Sequence, residues 1–133
     1  MSESVERIDK RKSTRIFFTL EEGIAATISS LGDISQSIPV TILSIGSGGV
    51  SFMVNRYKLP NVYEGERLTL TSISTPHPLG PINRIEAVVK YILDFQHSVR
   101  LSLGCEFIQA PKLLVKDIED YIQFRLKNVG FDH

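Results

Sequence analysis

Apolar and polar residues alternate with a period of two along most of this chain, and the period lengthens only near the C-terminus. Such alternation suits a half-buried strand, whose successive side chains point to opposite faces. β character starts at Ile16-Phe17-Phe18. It recurs over residues 24–29, 39–45, 50–54, 67–73, 85–93 and 99–107, which are six predicted strands. Gly46-Ser47-Gly48-Gly49 separates the second from the third and predicts a turn with positive φ at several positions. These two strands therefore form a hairpin with a glycine-rich tip. Tyr63-Glu64-Gly65-Glu66 reads as another turn. Residues 75–81 hold three prolines and are expected as an exposed loop. A polar turn near residues 94–98 joins the last two strands into a second hairpin.

Leu114, Ile118, Tyr121, Ile122 and Arg125 then fall at helical spacing. Pro111 suits a first helical turn, and Gly130 is a natural stop. Asp117, Glu119 and Asp120 precede Arg125 and Lys127, the order that the helix dipole favours. Six short antiparallel strands with glycine turns predict a mainly β protein, a small closed or nearly closed barrel followed by one C-terminal helix.

With 133 residues, the chain suggests one domain, large enough for a core without staples. Residues 1–15 are polar and charged and read as a flexible basic arm, and residues 16–133 as the barrel with its helix. Lys+Arg and Asp+Glu are equal at 15 each, which argues against bulk attraction to DNA or RNA. The single cysteine, Cys105, lies in an apolar stretch and reads as a small core residue. No apolar run reaches membrane-spanning length, so no membrane insertion is expected. The N-terminus lacks the apolar stretch of a signal peptide, and the simplest expectation is a cytoplasmic protein.

Candidate chemistry concentrates in the run Lys10-Arg11-Lys12-Ser13-Thr14-Arg15. A guanidinium presents a planar fork of donors that fits phosphate oxygens or the O6/N7 edge of guanine, and it also stacks on bases. No nucleophile elbow, P-loop or zincin motif occurs, so neither an enzyme nor a metal site is expected. His77 and His97 are not at metal-ligand spacing and read as solvated. Glu21 and Glu22 read as a solvated edge, and Arg84 and Lys90 as surface cations without a motif. Leu114, Ile118 and Ile122 are expected in the core, with Tyr121 and Phe124 partly exposed.

An Arg-x-x-x-Arg arm, a six-stranded barrel, the segment Ser44-Ile45-Gly46-Ser47-Gly48-Gly49, then Leu103-Gly104-Cys105-Glu106-Phe107 and a helix together resemble the PilZ domain, the bacterial receptor module for cyclic di-GMP. The resemblance runs from about Arg11 to the C-terminal helix. The family's first motif is matched by Arg11 and Arg15, flanked by Lys10 and Lys12. Its second motif, [Asp/Asn]-x-Ser-x-x-Gly, falls on Ser44, Gly46 and Gly49. Only Gly49 matches; Ser44 stands in place of the acid or amide and Gly46 in place of the serine. Asp33-Ile34-Ser35-Gln36-Ser37 begins like that motif but lacks the closing glycine, and reads as part of a polar turn between strands.

The resemblance implies that the arm arginines clamp phosphate and guanine edges while cyclic di-GMP rests on the barrel rim. Gly48 and Gly49 would let the hairpin backbone approach the ligand, and successive N–H groups there can form an anion-binding nest. The implied function is a receptor or adaptor whose arm orders on binding and which regulates an unidentified protein effector in motility, adhesion or exopolysaccharide production. The departures at Ser44 and Gly46 leave open an alternative, a degenerate PilZ-like interaction module that does not bind cyclic di-GMP.

Overall fold

The computed structural model describes residues 15–30, 33–74, 82–95 and 97–130. The elements in chain order are β1 (Arg15–Phe17), a 3-10 turn (Leu20–Glu22), β2 (Ala25–Ser30), β3 (Asp33–Gly46), β4 (Gly49–Asn55), β5 (Arg67–Ser74), β6 (Ile82–Asp94), β7 (Arg100–Phe107) and helix α1 (Lys112–Gly130). All pairings are antiparallel. Neighbours run β3-β2-β5-β6-β7-β4, and β4 returns to β3, so six strands close a barrel. Closure leaves no open edge in that ring. β1 is an additional strand on β3, pairing Arg15 with Gly46 and Phe17 with Ser44. Arg15, the last residue of the expected arm, is thus inside a strand. Lys10, Arg11, Lys12, His77 and the proline-rich segment 75–81 lie outside the described residues.

β3 starts at Asp33, well before the predicted boundary at residue 39. Ser30 pairs with Asp33, so Asp33 through Ser37 form strand rather than a turn. Pro39 does not interrupt it. It pairs with Thr27 of β2, whereas β4 joins β3 only from Thr41, so the missing N–H falls where β3 has one neighbour.

Inward-facing side chains fill the barrel. Ile28, Ile42, Ile45, Phe52, Leu68, Leu70 and Leu103 are all essentially inaccessible, and burying each such side chain contributes roughly 1.5–3 kcal/mol. Cys105 belongs to this core, and burial pushes its thiol up to about 12. A thiol in that state offers no thiolate at neutral pH, in agreement with a packing role.

α1 packs on β1 and β3 through Ile118, Tyr121 and Ile122. Pro111 caps the helix rather than entering it, since its carbonyl accepts from Val115 N at 3.0 Å. Tyr121 is only 1% exposed, contrary to the expectation of partial exposure. Its ring stacks on Phe18 with centroids 6.5 Å apart. The Arg125 guanidinium sits 5.2 Å from the Phe18 ring centre and pairs with Glu22 at 2.9 Å. Glu22 also closes a capping box, its carboxylate accepting from Thr19 N while its own N–H donates to Thr19 Oγ1. The Arg125 hydrogen bond, with help from Thr19, holds the Glu22 carboxyl below the usual range. Glu22 is therefore a structural anchor and not merely a solvated edge.

Candidate functional site at the hairpin tip

The β3–β4 hairpin turns at Ser47-Gly48, and a cleft of about 430 Å³ opens beside it. Four strands supply its walls. β1 gives Arg15, and the hairpin gives Ser47, Gly48, Gly49 and Val50. β6 gives Lys90 and Tyr91, and β7 gives Gly104, Cys105 and Glu106. Of the candidate residues, Arg15, Gly48 and Gly49 thus meet at one place. Its volume falls within the ordinary range for small-molecule sites, about 300–1,000 Å³.

Ser44 is not on the cleft wall and is 1% exposed. Its hydroxyl accepts from Arg15 Nη1 at 3.1 Å and is hydrogen-bonded to the Ser51 hydroxyl at 2.6 Å. Two buried hydroxyls thus satisfy each other and hold one arm of the guanidinium, which has four further N–H groups to offer. The placement follows from the register. A shift between Ile42 and Ser44 in the β3–β4 ladder leaves Leu43 without a β4 partner and sets Ser44 across from Ser51 on β4 and from Phe17 on β1. Gly46 is the backbone partner of Arg15 and is buried.

The glycines act differently from expectation. No residue from Ser47 to Gly49 has a positive φ, so the tip does not form a left-handed anion nest. Instead Gly48 O accepts from Phe107 N at 2.9 Å, which pins the tip to the end of β7. A Cβ on Gly49 would lie 2.2 Å from the Cys105 carbonyl oxygen. The close approach that Gly49 permits is therefore between β4 and β7. Gly48 has nothing within 4 Å of a Cβ position and is the open side of the tip.

Lys90 and Tyr91 reach the cleft because of a second irregularity. Val89 pairs with Cys105 and Tyr91 with Gly104, leaving Lys90 as an extra residue. Such a bulge lets neighbouring residues share a face. Lys90 pairs with Glu106 at 3.6 Å, both more than half exposed, so the pair itself adds little stability. The Tyr91 ring occupies the space above Gly104, where an added Cβ would come within 2.0 Å of it. Sequence reasoning assigned no site role to Tyr91 or Glu106. Glu106 stood in the Leu-Gly-Cys-Glu-Phe segment, but only three-dimensional pairing sets it across from Gly49. Among the described residues, no His/Cys/Asp/Glu group could hold a metal ion, and no helix is long and apolar enough to cross a membrane.

No family model and no curated protein matches the chain. Solved structures do match it. The PilZ domain of YcgR from Escherichia coli, solved with c-di-GMP, superposes with a TM-score of 0.67 at 16% identity, over 87% of this chain and 90% of that one. The K. pneumonia MrkH–c-di-GMP complex gives a TM-score of 0.69 at 15% identity, over 90% of this chain and 53% of that one. The Bacillus subtilis inhibitor of motility, MotI/DgrA, gives 0.67 at 19% identity, over 86% of this chain and 50% of that one. This chain thus spans about half the length of the last two. With the closed six-stranded ring, the outer strand β1 and the C-terminal helix, these superpositions show that the chain has the PilZ fold.

Proposed function

We propose that this protein is a cyclic di-GMP receptor that binds the dinucleotide in the cleft beside the β3–β4 hairpin and passes the event to a protein effector. The observation that supports this reading most is the meeting of Arg15 with the hairpin tip across the walls of one cleft. Cyclic di-GMP is a dianion with two purine faces. Arg15 and Lys90 supply fixed positive charge, and Lys10, Arg11 and Lys12 add more within a few residues of Arg15 along the chain. Two of the superposed structures contain this ligand on the same fold.

Binding would draw the basic arm over the cleft and change the surface offered to the effector, in motility, adhesion or exopolysaccharide control. The protein acts as a cytoplasmic adaptor, not as an enzyme, with no part for DNA, RNA or a membrane. The second reading, an interaction module that has lost the ligand, is favoured by one observation. Ser44 carries no carboxylate, and its hydroxyl is buried against Arg15 and Ser51.

Isothermal titration of the folded protein with cyclic di-GMP separates the two. A receptor binds at about micromolar levels, and Arg11→Ala or Arg15→Ala each weakens binding at least tenfold, as loss of a charge-assisted hydrogen bond does. No heat at high ligand concentration, with the native fold intact, leaves the interaction module.

A further inference from the structure

We infer that Tyr91 and Glu106 form the base-reading half of the cleft, with Glu106 providing the carboxylate that the hairpin lacks at Ser44. The inference rests on the receptor reading above. It assigns recognition of guanine to β6 and β7 instead of β3.

The geometry is specific. Gly104 and Glu106 are two residues apart on β7, so they face the same side of the strand, about 7 Å apart. The Tyr91 ring lies over Gly104, held there because that position has no side chain. Opposite Glu106 stands Gly49, which also has none. A flat aromatic surface therefore has a carboxylate near its edge, and both line the same cleft as Arg15. A purine stacked on an aromatic ring is a sequence-tolerant contact, and discrimination comes from hydrogen bonds at its edge. Guanine carries adjacent N1–H and N2–H donors, and an ionised carboxylate is acceptor-only with two oxygens. Adenine presents no such pair of donors on that edge. Lys90 is the present partner of Glu106 at 3.6 Å. On binding, Lys90 turns to a phosphate while the carboxylate takes the base.

The sign of one substitution tests the idea. If Glu106 were only a surface ion-pair partner, Glu106→Gln would remove a negative charge beside a dianion, and affinity would rise or stay level. As a base reader, Glu106→Gln weakens cyclic di-GMP at least tenfold while leaving cyclic di-AMP unchanged or tighter. Tyr91→Leu weakens both dinucleotides, by about tenfold, because stacking does not distinguish bases. The measurement is titration of wild type and both variants with cyclic di-GMP and cyclic di-AMP, with thermal unfolding as a control for folding. Wild type that binds cyclic di-GMP, with Glu106→Gln binding equally or better, overturns this inference and leaves the receptor reading standing. Folded wild type that binds neither dinucleotide overturns both.

Discussion

Arg15 donates to the Ser44 hydroxyl at 3.1 Å while its own backbone pairs with Gly46, so the second arginine of the basic run is fixed by strand β3 at two points. The side-chain contact depends on the neighbouring Ser51 hydroxyl, 2.6 Å from Ser44. Ser44→Ala leaves a buried Ser51 hydroxyl with one partner fewer. The expected cost is about 1 kcal/mol, the usual net worth of such a bond. Urea unfolding checks it: the midpoint falls and the slope stays the same.

Gly48 and Gly49 are neighbours with opposite tolerance. A methyl group on Gly49 meets the Cys105 carbonyl oxygen at 2.2 Å, and backbone cannot swing aside as a side chain can. Gly49→Ala is expected to cost about 2–3 kcal/mol, the upper part of the overpacking range. Gly48→Ala meets nothing and stays within about 0.5 kcal/mol of wild type. Equal effects in thermal unfolding would contradict the close β4–β7 packing at Gly49.

The Glu22–Arg125 pair gives stability a dependence on acid. Its partners hold the Glu22 carboxyl below its ordinary value of 4.5, so the folded state binds that proton less readily than the unfolded state. The contribution is complete above that ordinary value and is lost as pH falls through the lower folded value. Glu22→Gln removes it. The stability gap between wild type and Glu22→Gln is therefore constant near neutrality and closes progressively below about pH 4.5. Denaturation curves from pH 7 to pH 3 measure the gap.

Cys105 is a built-in reporter of opening. Its thiol sits in the core and is pushed up to about 12. A disulfide reagent at pH 8 is expected to label native protein only through transient unfolding, at a rate that rises with added urea. Prompt labelling in the absence of denaturant would place Cys105 outside the core.

Periodicity carried much of the architecture into the sequence. β4, β5 and β7 follow the alternation of residues such as Leu68 and Leu70 or Leu101 and Leu103, and Ile118 and Ile122 mark the buried side of α1. The rest depends on pairing partners that a linear reading does not contain. β1 is three residues long, too short for a period to show. Asp33 through Ser37 look like a turn until β2 is laid beside them. Strict alternation would put Lys90 and Tyr91 on opposite faces, and only the extra residue opposite β7 turns both toward the cleft. Glu22 reads as a solvated edge until Arg125 arrives from 103 residues away, a contact no linear reading contains.

Fixing Arg15 in β1 also sets a leash. Arg11 is four residues earlier, so its Cα lies no farther than about 14 Å from that of Arg15. The backbone itself therefore sets a high effective concentration for any encounter of the Arg11 guanidinium with a group bound beside Arg15. Moving the pair apart by inserting a few flexible residues after Thr14 would dilute that encounter without altering a single contact in the barrel.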